Sequence, residues 1–133
     1  MSEYRTLNHS KFLLKYHLIF VCKYRRKLLI PYAEDIKVIM LEIANNSDFD
    51  ICELEVDEDH IHLLVESVPK LSPLQIVRKL KQTSTNRIYK LYPELSEQFK
   101  KQIFWSGSYF AASISDGVDT DKITNYINNQ GSK

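Results

Sequence analysis

Residues 50–66 read DICELEVDEDHIHLLVE, and their alternation decides the fold. In 50–57, Cys52, Leu54 and Val56 point one way while Glu53, Glu55 and Asp57 point the other, the pattern of a strand with one buried face. In 60–66, Ile61, Leu63 and Val65 alternate with His60, His62, Leu64 and Glu66. Glu58 and Asp59 make a short turn between them. Two alternating runs joined by a tight acidic turn predict an antiparallel hairpin. Its apolar set faces a core, so His60 and His62 share the opposite face.

Outward from the hairpin, residues 12–24 (FLLKYHLIFVCKY) are apolar, aromatic and β-branched, predicting a strand covered on both faces. Arg25, Arg26 and Lys27 form a charged exit. Pro31 suits a first helical position. After it, Ile36, Ile39, Met40 and Ile43 recur at helical spacing, and Asn45–Asp48 end the helix. Ser72-Pro73-Leu74-Gln75 is a helix start, with a Ser cap, Pro behind it and Gln closing a capping box. The helix that follows should bury Leu74, Val77, Leu80, Ser84, Ile88 and Leu91, and Pro93 stops or bends it. Residues 103–110 (IFWSGSYF) suggest a fourth strand broken near Gly107. Ser115-Asp116-Gly117 reads as a turn, and a last short helix covers about 119–130, with Gly131 at its end. The order β-α-β-β-α-β plus a terminal helix is an α+β, ferredoxin-like (RRM-like) split βαβ, with one antiparallel sheet, in a single domain over 1–133.

Composition agrees with a folded core: 133 residues, 44% hydrophobic and 26% charged, with only 3 Gly and 4 Pro. That excludes collagen-like, linker-like and low-complexity chains. Cys22 and Cys52 are too few for a disulfide scaffold and read as small buried residues of a cytosolic protein. No window approaches the roughly 18 apolar residues of a membrane span. Met-Ser-Glu-Tyr-Arg begins no apolar leader, so a cytoplasmic location is expected.

Taken alone, the net charge of +1 argues against a nucleic-acid partner, but it is a cancellation. Residues 1–30 carry +6, residues 31–66 carry −10, residues 67–104 carry +6 and residues 105–133 carry −1. Two basic blocks flank an acidic one, so basic surfaces can be local. Lys11, Lys15, Lys23, Arg25, Arg26, Arg78, Lys79 and Lys81 are the candidates for phosphate contacts. Tyr24 and Trp105 are the aromatics that could stack on unpaired bases, although core packing is the simpler reading of Trp105. His17 reads as a satisfied strand histidine.

Chemistry concentrates at two places. Histidines at i and i+2 of a strand, His60 and His62, can reach one ion. Tyr126 and Gln130, at i and i+4, share one face of the last helix. Together they offer two imidazoles and an amide oxygen to a metal, with a phenol one turn away. A phenol titrates near ~10 when unperturbed, so as a nucleophile it needs a cation or base close by.

Three segments in this order, Asp59-His60-Ile61-His62-Leu63-Leu64, Trp105-Ser106-Gly107-Ser108-Tyr109-Phe110 and Tyr126-Ile127-Asn128-Asn129-Gln130, resemble the single-tyrosine HUH transposases of small insertion sequences. The strand Tyr16-His17-Leu18-Ile19-Phe20, followed by Lys23-Tyr24-Arg25-Arg26-Lys27, extends the resemblance from about Lys11 to Gln130. It implies that His60, His62 and Gln130 hold Mg²⁺ or Mn²⁺. It implies that Tyr126 attacks a phosphodiester in single-stranded DNA, leaving a 5′-phosphotyrosine and a free 3′-OH. It further implies a homodimer, hairpins at the element ends as DNA partners, and no nucleotide cofactor or membrane. Two other readings compete. One is a non-catalytic ferredoxin-like module for single-stranded nucleic acid, but no RNP-type run is present and the second strand is acidic. The other is a replication-initiation or relaxase nickase, whose usual additional domains do not fit in 133 residues. The charge segregation carries its own prediction: affinity for single-stranded DNA, measured by fluorescence anisotropy, should fall steeply with added salt despite the near-neutral total.

Overall fold

The computed structural model of the chain describes residues 14–114 and 126–128. Its sheet is built on the hairpin of β2 (Phe49–Val56) and β3 (His60–Ser67). β1 (Leu14–Val21) pairs with the other edge of β3, and β4 (Phe110–Ser113) pairs with β1. The sheet order is β2-β3-β1-β4, with every neighbouring pair antiparallel. β1 and β2 therefore run parallel with β3 between them, the split βαβ that the sequence predicts.

The register sorts side chains onto two faces, because residues directly opposite each other in a ladder point the same way. Leu18 lies opposite Leu63, and Phe20 opposite Ile61. These pairs face the helices and are fully buried. His17 lies opposite Leu64, Ile19 opposite His62 and Val21 opposite His60; this second row forms the other face. Ile51 pairs with Val65, but Glu53 pairs with Leu64, so Cys52 is an extra residue in a β-bulge. The bulge resets parity: Leu54 and Val56 pack on the core, while Glu53 and Glu55 share the histidine face.

Helix α1 (Ala33–Asn45) buries Ile36, Ile39, Met40 and Ile43, the stripe expected from their spacing. Helix α2 (Pro73–Leu91) starts at a complete capping box. Gln75 N–H donates to Ser72 Oγ at 3.1 Å, and Ser72 N–H donates to Gln75 Oε1 at 2.8 Å. α2 packs on α1. Between them and the sheet sits an aromatic group in which Trp105 meets Phe20 and Phe104 edge to face, each at 5.0 Å between ring centroids. The Trp105 indole N–H donates to Ser84 Oγ at 2.9 Å, which explains a serine at a core position. Among the described residues no helix is long and apolar enough to cross a membrane.

Several boundaries differ from the sequence reading, each for a physical reason. The first strand ends at Val21, and only its second half is buried on both faces. Pro31 sits in a 3-10 turn over Ile30–Tyr32, so the first α-helix begins at Ala33. Cys52 is exposed, pushed outward by the bulge, whereas Cys22 is buried. Leu74 and Leu91 are exposed at the two ends of α2, and Ile76 and Thr85 take buried positions in their place. Pro93 does more than stop α2: it opens a further helix, α3 (Pro93–Gln98). The fourth strand is Phe110–Ser113 rather than 103–110. Trp105 makes only a single bridge to Cys22, and the chain then leaves the sheet before rejoining it. The Ser115-Asp116-Gly117 turn, Lys11 and Gln130 lie outside the described residues. Of the last helix, residues 126–128 are described and are helical.

Replacing Ser72 by Ala removes the acceptor for one otherwise unpaired N–H at the start of α2. Urea denaturation should register a loss of about 1 kcal/mol, with an unchanged m-value.

Candidate active site

The histidine face of the sheet is laid out in rows. One row runs Glu55, His62, Ile19 and Phe110 across β2, β3, β1 and β4. The next pairs His60 with Val21. Ile19 and Val21 are fully buried although they point away from the helices, so this end of the second face is covered. Tyr126 is part of what covers it. Its ring lies 6.0 Å from the Phe110 ring, and its hydroxyl hydrogen-bonds with that of Ser108 at 3.2 Å. Adjacent strands lie ~4.8 Å apart, so Phe110 and His62 are about 10 Å apart across the sheet. The geometry thus brings Tyr126, His60 and His62 to one face and one end of it.

Each histidine has a partner that the sequence reading missed. His17 Nδ1 and His62 Nε2 are 2.8 Å apart, with ring centroids at 5.0 Å. His17 is diagonal to His62 across the β1–β3 ladder, so the alternation of β1 was the signal that could have found it. Burial, with His17 beside it, pushes His62 below the usual imidazole range and favours its neutral form. His60 Nδ1 donates to Asp59 Oδ1 at 2.8 Å. The same carboxylate accepts from Arg25 Nε at 2.7 Å through Oδ2. Burial alone would raise the Asp59 pKa, but the hydrogen bonds from His60 and Arg25 outweigh it and hold the carboxyl below the usual range. By sequence Asp59 is a turn residue that heads the His60-Ile61-His62 motif, with no role of its own.

Arg25 reaches Asp59 because the chain turns sharply after β1. Tyr24 and Arg25 have φ of 60° and 52°, left-handed values that are uncommon for residues with a side chain. The other end of the Arg25 guanidinium donates to the carbonyl of Asn128, two residues beyond Tyr126, at 3.3 Å.

The segment that holds the tyrosine hydroxyl is itself held from below. Lys81, on α2, donates to the carbonyls of Ser106 and Ser108 at 2.6 and 2.8 Å. Those carbonyls face the ammonium, while the Ser106 N–H still donates to the Val21 carbonyl at 2.8 Å and residues 107–109 run outside the sheet. Burial pushes Lys81 down to about 8. Burial also raises the Tyr126 phenol above its ordinary value, although the hydroxyls of Ser108 and Ser106 ease it back. In this position the phenol keeps its proton at neutral pH.

The basic candidates are dispersed. Lys23, Arg78 and Lys81 line one cavity of about 500 Å³, together with Trp105 and Tyr109. Lys79 is on the side of α2 that faces Asn46–Phe49. Lys15 is 3.5 Å from Glu66. Arg26 lies 4.8 Å over the Phe99 ring. Lys23 lies 5.4 Å from the Tyr24 ring, while Trp105 is buried in the core.

As to metal chemistry, His60 keeps Nε2 once Nδ1 is bound to Asp59, and His62, whose Nε2 faces His17, keeps Nδ1 and is biased to its neutral form. That donor set suits a divalent ion that accepts imidazole nitrogen. Among the described residues no group of three or more His, Cys, Asp or Glu is placed to hold a metal, so a third protein donor of those types does not come from them.

The profile of the family described as transposase IS200 like matches residues 10–130, and the chain belongs to that family of DNA-cleaving enzymes. It is 33% identical over 121 residues to the ISDra2 transposase TnpA of Deinococcus radiodurans, covering 90% of this chain and 86% of the relative. It is 31% identical over 133 residues to the transposase for insertion sequence element IS200 of Salmonella typhimurium, covering 98% and 85%. A crystal structure assigned as a transposase from D. radiodurans R1 superposes with a TM-score of 0.81 at 29% identity, covering 100% of both chains. The fold also matches a REP-associated tyrosine transposase bound to a REP hairpin, with a TM-score of 0.54 at 16% identity, over 96% of this chain and 68% of that one.

Lys81 offers a direct check of this geometry. In a heteronuclear NMR titration of the lysine side chains its midpoint should lie at about 8, while exposed lysines titrate near ~10.4. Because the folded state disfavours the charged amine, the unfolded chain binds more protons between these values. The Lys81 contribution to stability should therefore rise as pH climbs through that window, and be flat below it.

Proposed function

We propose that the protein cleaves and rejoins single-stranded DNA at insertion-sequence ends through a covalent bond to Tyr126. The observation that carries this reading is that Tyr126, His60 and His62 share one end of one sheet face, in a chain of the IS200-like transposase family. The Tyr126 oxygen attacks the scissile phosphorus and its bond to phosphorus forms as the P–O3′ bond breaks. The phenol gives up its proton and the departing 3′ oxygen ends as a hydroxyl. The product is a 5′-phosphotyrosine, whose phosphodiester energy is kept, so a 3′-OH can reverse the step without ATP.

His60 and His62, with Gln130 as third ligand, hold Mg²⁺ or Mn²⁺ in this reading. When bound, such a cation supplies polarisation and orientation of the phosphate. Two imidazoles favour Mn²⁺ in affinity, since Mg²⁺ prefers oxygen donors. Burial holds the phenol protonated and its hydroxyl is hydrogen-bonded with that of Ser108, so it must leave that hydrogen bond or pass its proton on before attack. Excision needs two cleavages and each chain brings one tyrosine at this motif, which favours a homodimer. DNA hairpins are the expected partner; the structural relative with the REP-associated fold was solved with one.

The test uses labelled single-stranded DNA with a terminal hairpin, Mn²⁺ or Mg²⁺, and a denaturing gel. Wild-type protein should leave a covalent adduct, and Tyr126→Phe none. His60→Ala should lose cleavage by at least about 100-fold, the scale of a lost metal or acid–base contribution, while still shifting the hairpin on a native gel. An adduct that survives Tyr126→Phe overturns the nucleophile assignment. Hairpin binding without an adduct under any metal condition favours the binding module. Restored cleavage on mixing Tyr126→Phe with His60→Ala chains would mean that subunits share their sites.

A further inference from the structure

We infer that Asp59, locked by Arg25, is a positioning residue that sets the tautomer and aim of His60 so that its Nε2 is free to bind a cation. The inference rests on the reading of His60 as a metal ligand. Its grounds are geometric. Asp59 is 5% exposed, and its two carboxylate oxygens are divided between two donors: Oδ1 takes the His60 Nδ1 proton at 2.8 Å, and Oδ2 takes the Arg25 Nε proton at 2.7 Å. An ionised carboxylate only accepts, so the ring nitrogen facing it must carry the proton and the other nitrogen keeps its lone pair. The backbone is pinned here as well, because the Asp59 carbonyl accepts from Cys22 N–H at 2.8 Å. Asp57 Oδ2, at 4.0 Å, lies on the Nε2 side of the ring beyond hydrogen-bond range, so it does not compete for the tautomer.

Arg25 makes the arrangement one-directional. A guanidinium is a donor without any acceptor atom, so the oxygen of Asp59 that faces it is obliged to accept. In an Asp59→Asn variant the single amide oxygen must then turn to Arg25, and the NH₂ turns to His60. The imidazole is driven to accept at Nδ1 and to carry its proton on Nε2, where it blocks the metal position. Arg25 also donates to the Asn128 carbonyl, so one guanidinium touches both the orienter of His60 and the tyrosine segment.

The experiment has two readouts. In metal-free, ¹⁵N-histidine-labelled protein, long-range ¹H–¹⁵N spectra should show His60 as the Nδ1–H tautomer, and Asp59→Asn should shift it towards Nε2–H. Mn²⁺ titrations followed by EPR should show Asp59→Asn binding about 10- to 100-fold more weakly than wild type, with hairpin affinity unchanged. Adding Arg25→Gln to Asp59→Asn frees the amide to turn its oxygen back to His60 and should recover part of both signals. A merely structural Asp59 would lower the melting temperature and move neither. A wild-type His60 found as Nε2–H overturns the proposal without any variant, as does an Asp59→Asn protein with wild-type tautomer and Mn²⁺ affinity. If His60→Ala binds Mn²⁺ like wild type, it is the metal assignment that falls, and the tautomer comparison still decides the role of Asp59.

Discussion

Everything at the site depends on the two-residue period of β3. Ile61, Leu63 and Val65 are fully buried against the helices, and fully burying side chains of this size is worth about 1.5–3 kcal/mol each. That burial forces His60 and His62 to the other face of the sheet. A slip of one residue would turn the histidines inward and the aliphatic residues outward, so the same energy that folds the hairpin also aims the imidazoles. The bulge at Cys52 serves the same end in β2. By absorbing one residue it keeps Ile51, Leu54 and Val56 against the core and places Glu53 and Glu55 beside the histidines.

Polar groups then refine what the apolar pattern sets roughly. Each histidine is tied to one neighbour, His60 to Asp59 and His62 to His17. Tyr126 is tied to Ser108, and the segment carrying Ser108 is tied to Lys81. Lys81 is drawn on by an unusual environment: its ammonium is largely buried below the loop and lies 5.6 Å from the Phe20 ring. Two backbone carbonyls compensate for the lost water. Lys81, the Ser106–Ser108 segment and the tyrosine hydroxyl thus form one connected chain of hydrogen bonds.

The hairpin, the α1 stripe and the α2 capping box were legible because each depends on neighbours within a few residues. Ser72 and Gln75 satisfy each other across three positions, and the spacing of Ile36, Ile39, Met40 and Ile43 is a property of the helix alone. Less legible were features set by residues far apart. The apolar and aromatic residues of IFWSGSYF point to a strand that begins earlier than the one observed. Those residues are apolar because Phe104 and Trp105 fill the core, while the ladder with β1 begins only at Phe110. Leu74 and Leu91 match the helical period but lie at the ends of α2, past the edge of what α1 and the sheet cover.

The sequence by itself determined the order of strands and helices, the face on which His60 and His62 lie, and, through three spaced motifs, the family to which the chain belongs. Periodicity and short motifs suffice for these because they act along the chain. The tertiary structure alone decided which charged residues are engaged. Arg25 and Lys81, read in the sequence as solvent-facing candidates for phosphate, are instead turned inward to Asp59 and to the Ser106 and Ser108 carbonyls. A side chain's partner depends on which distant segment the fold brings within 3 Å of it, and Arg25 and Asp59 meet only because β1 and β3 are adjacent strands.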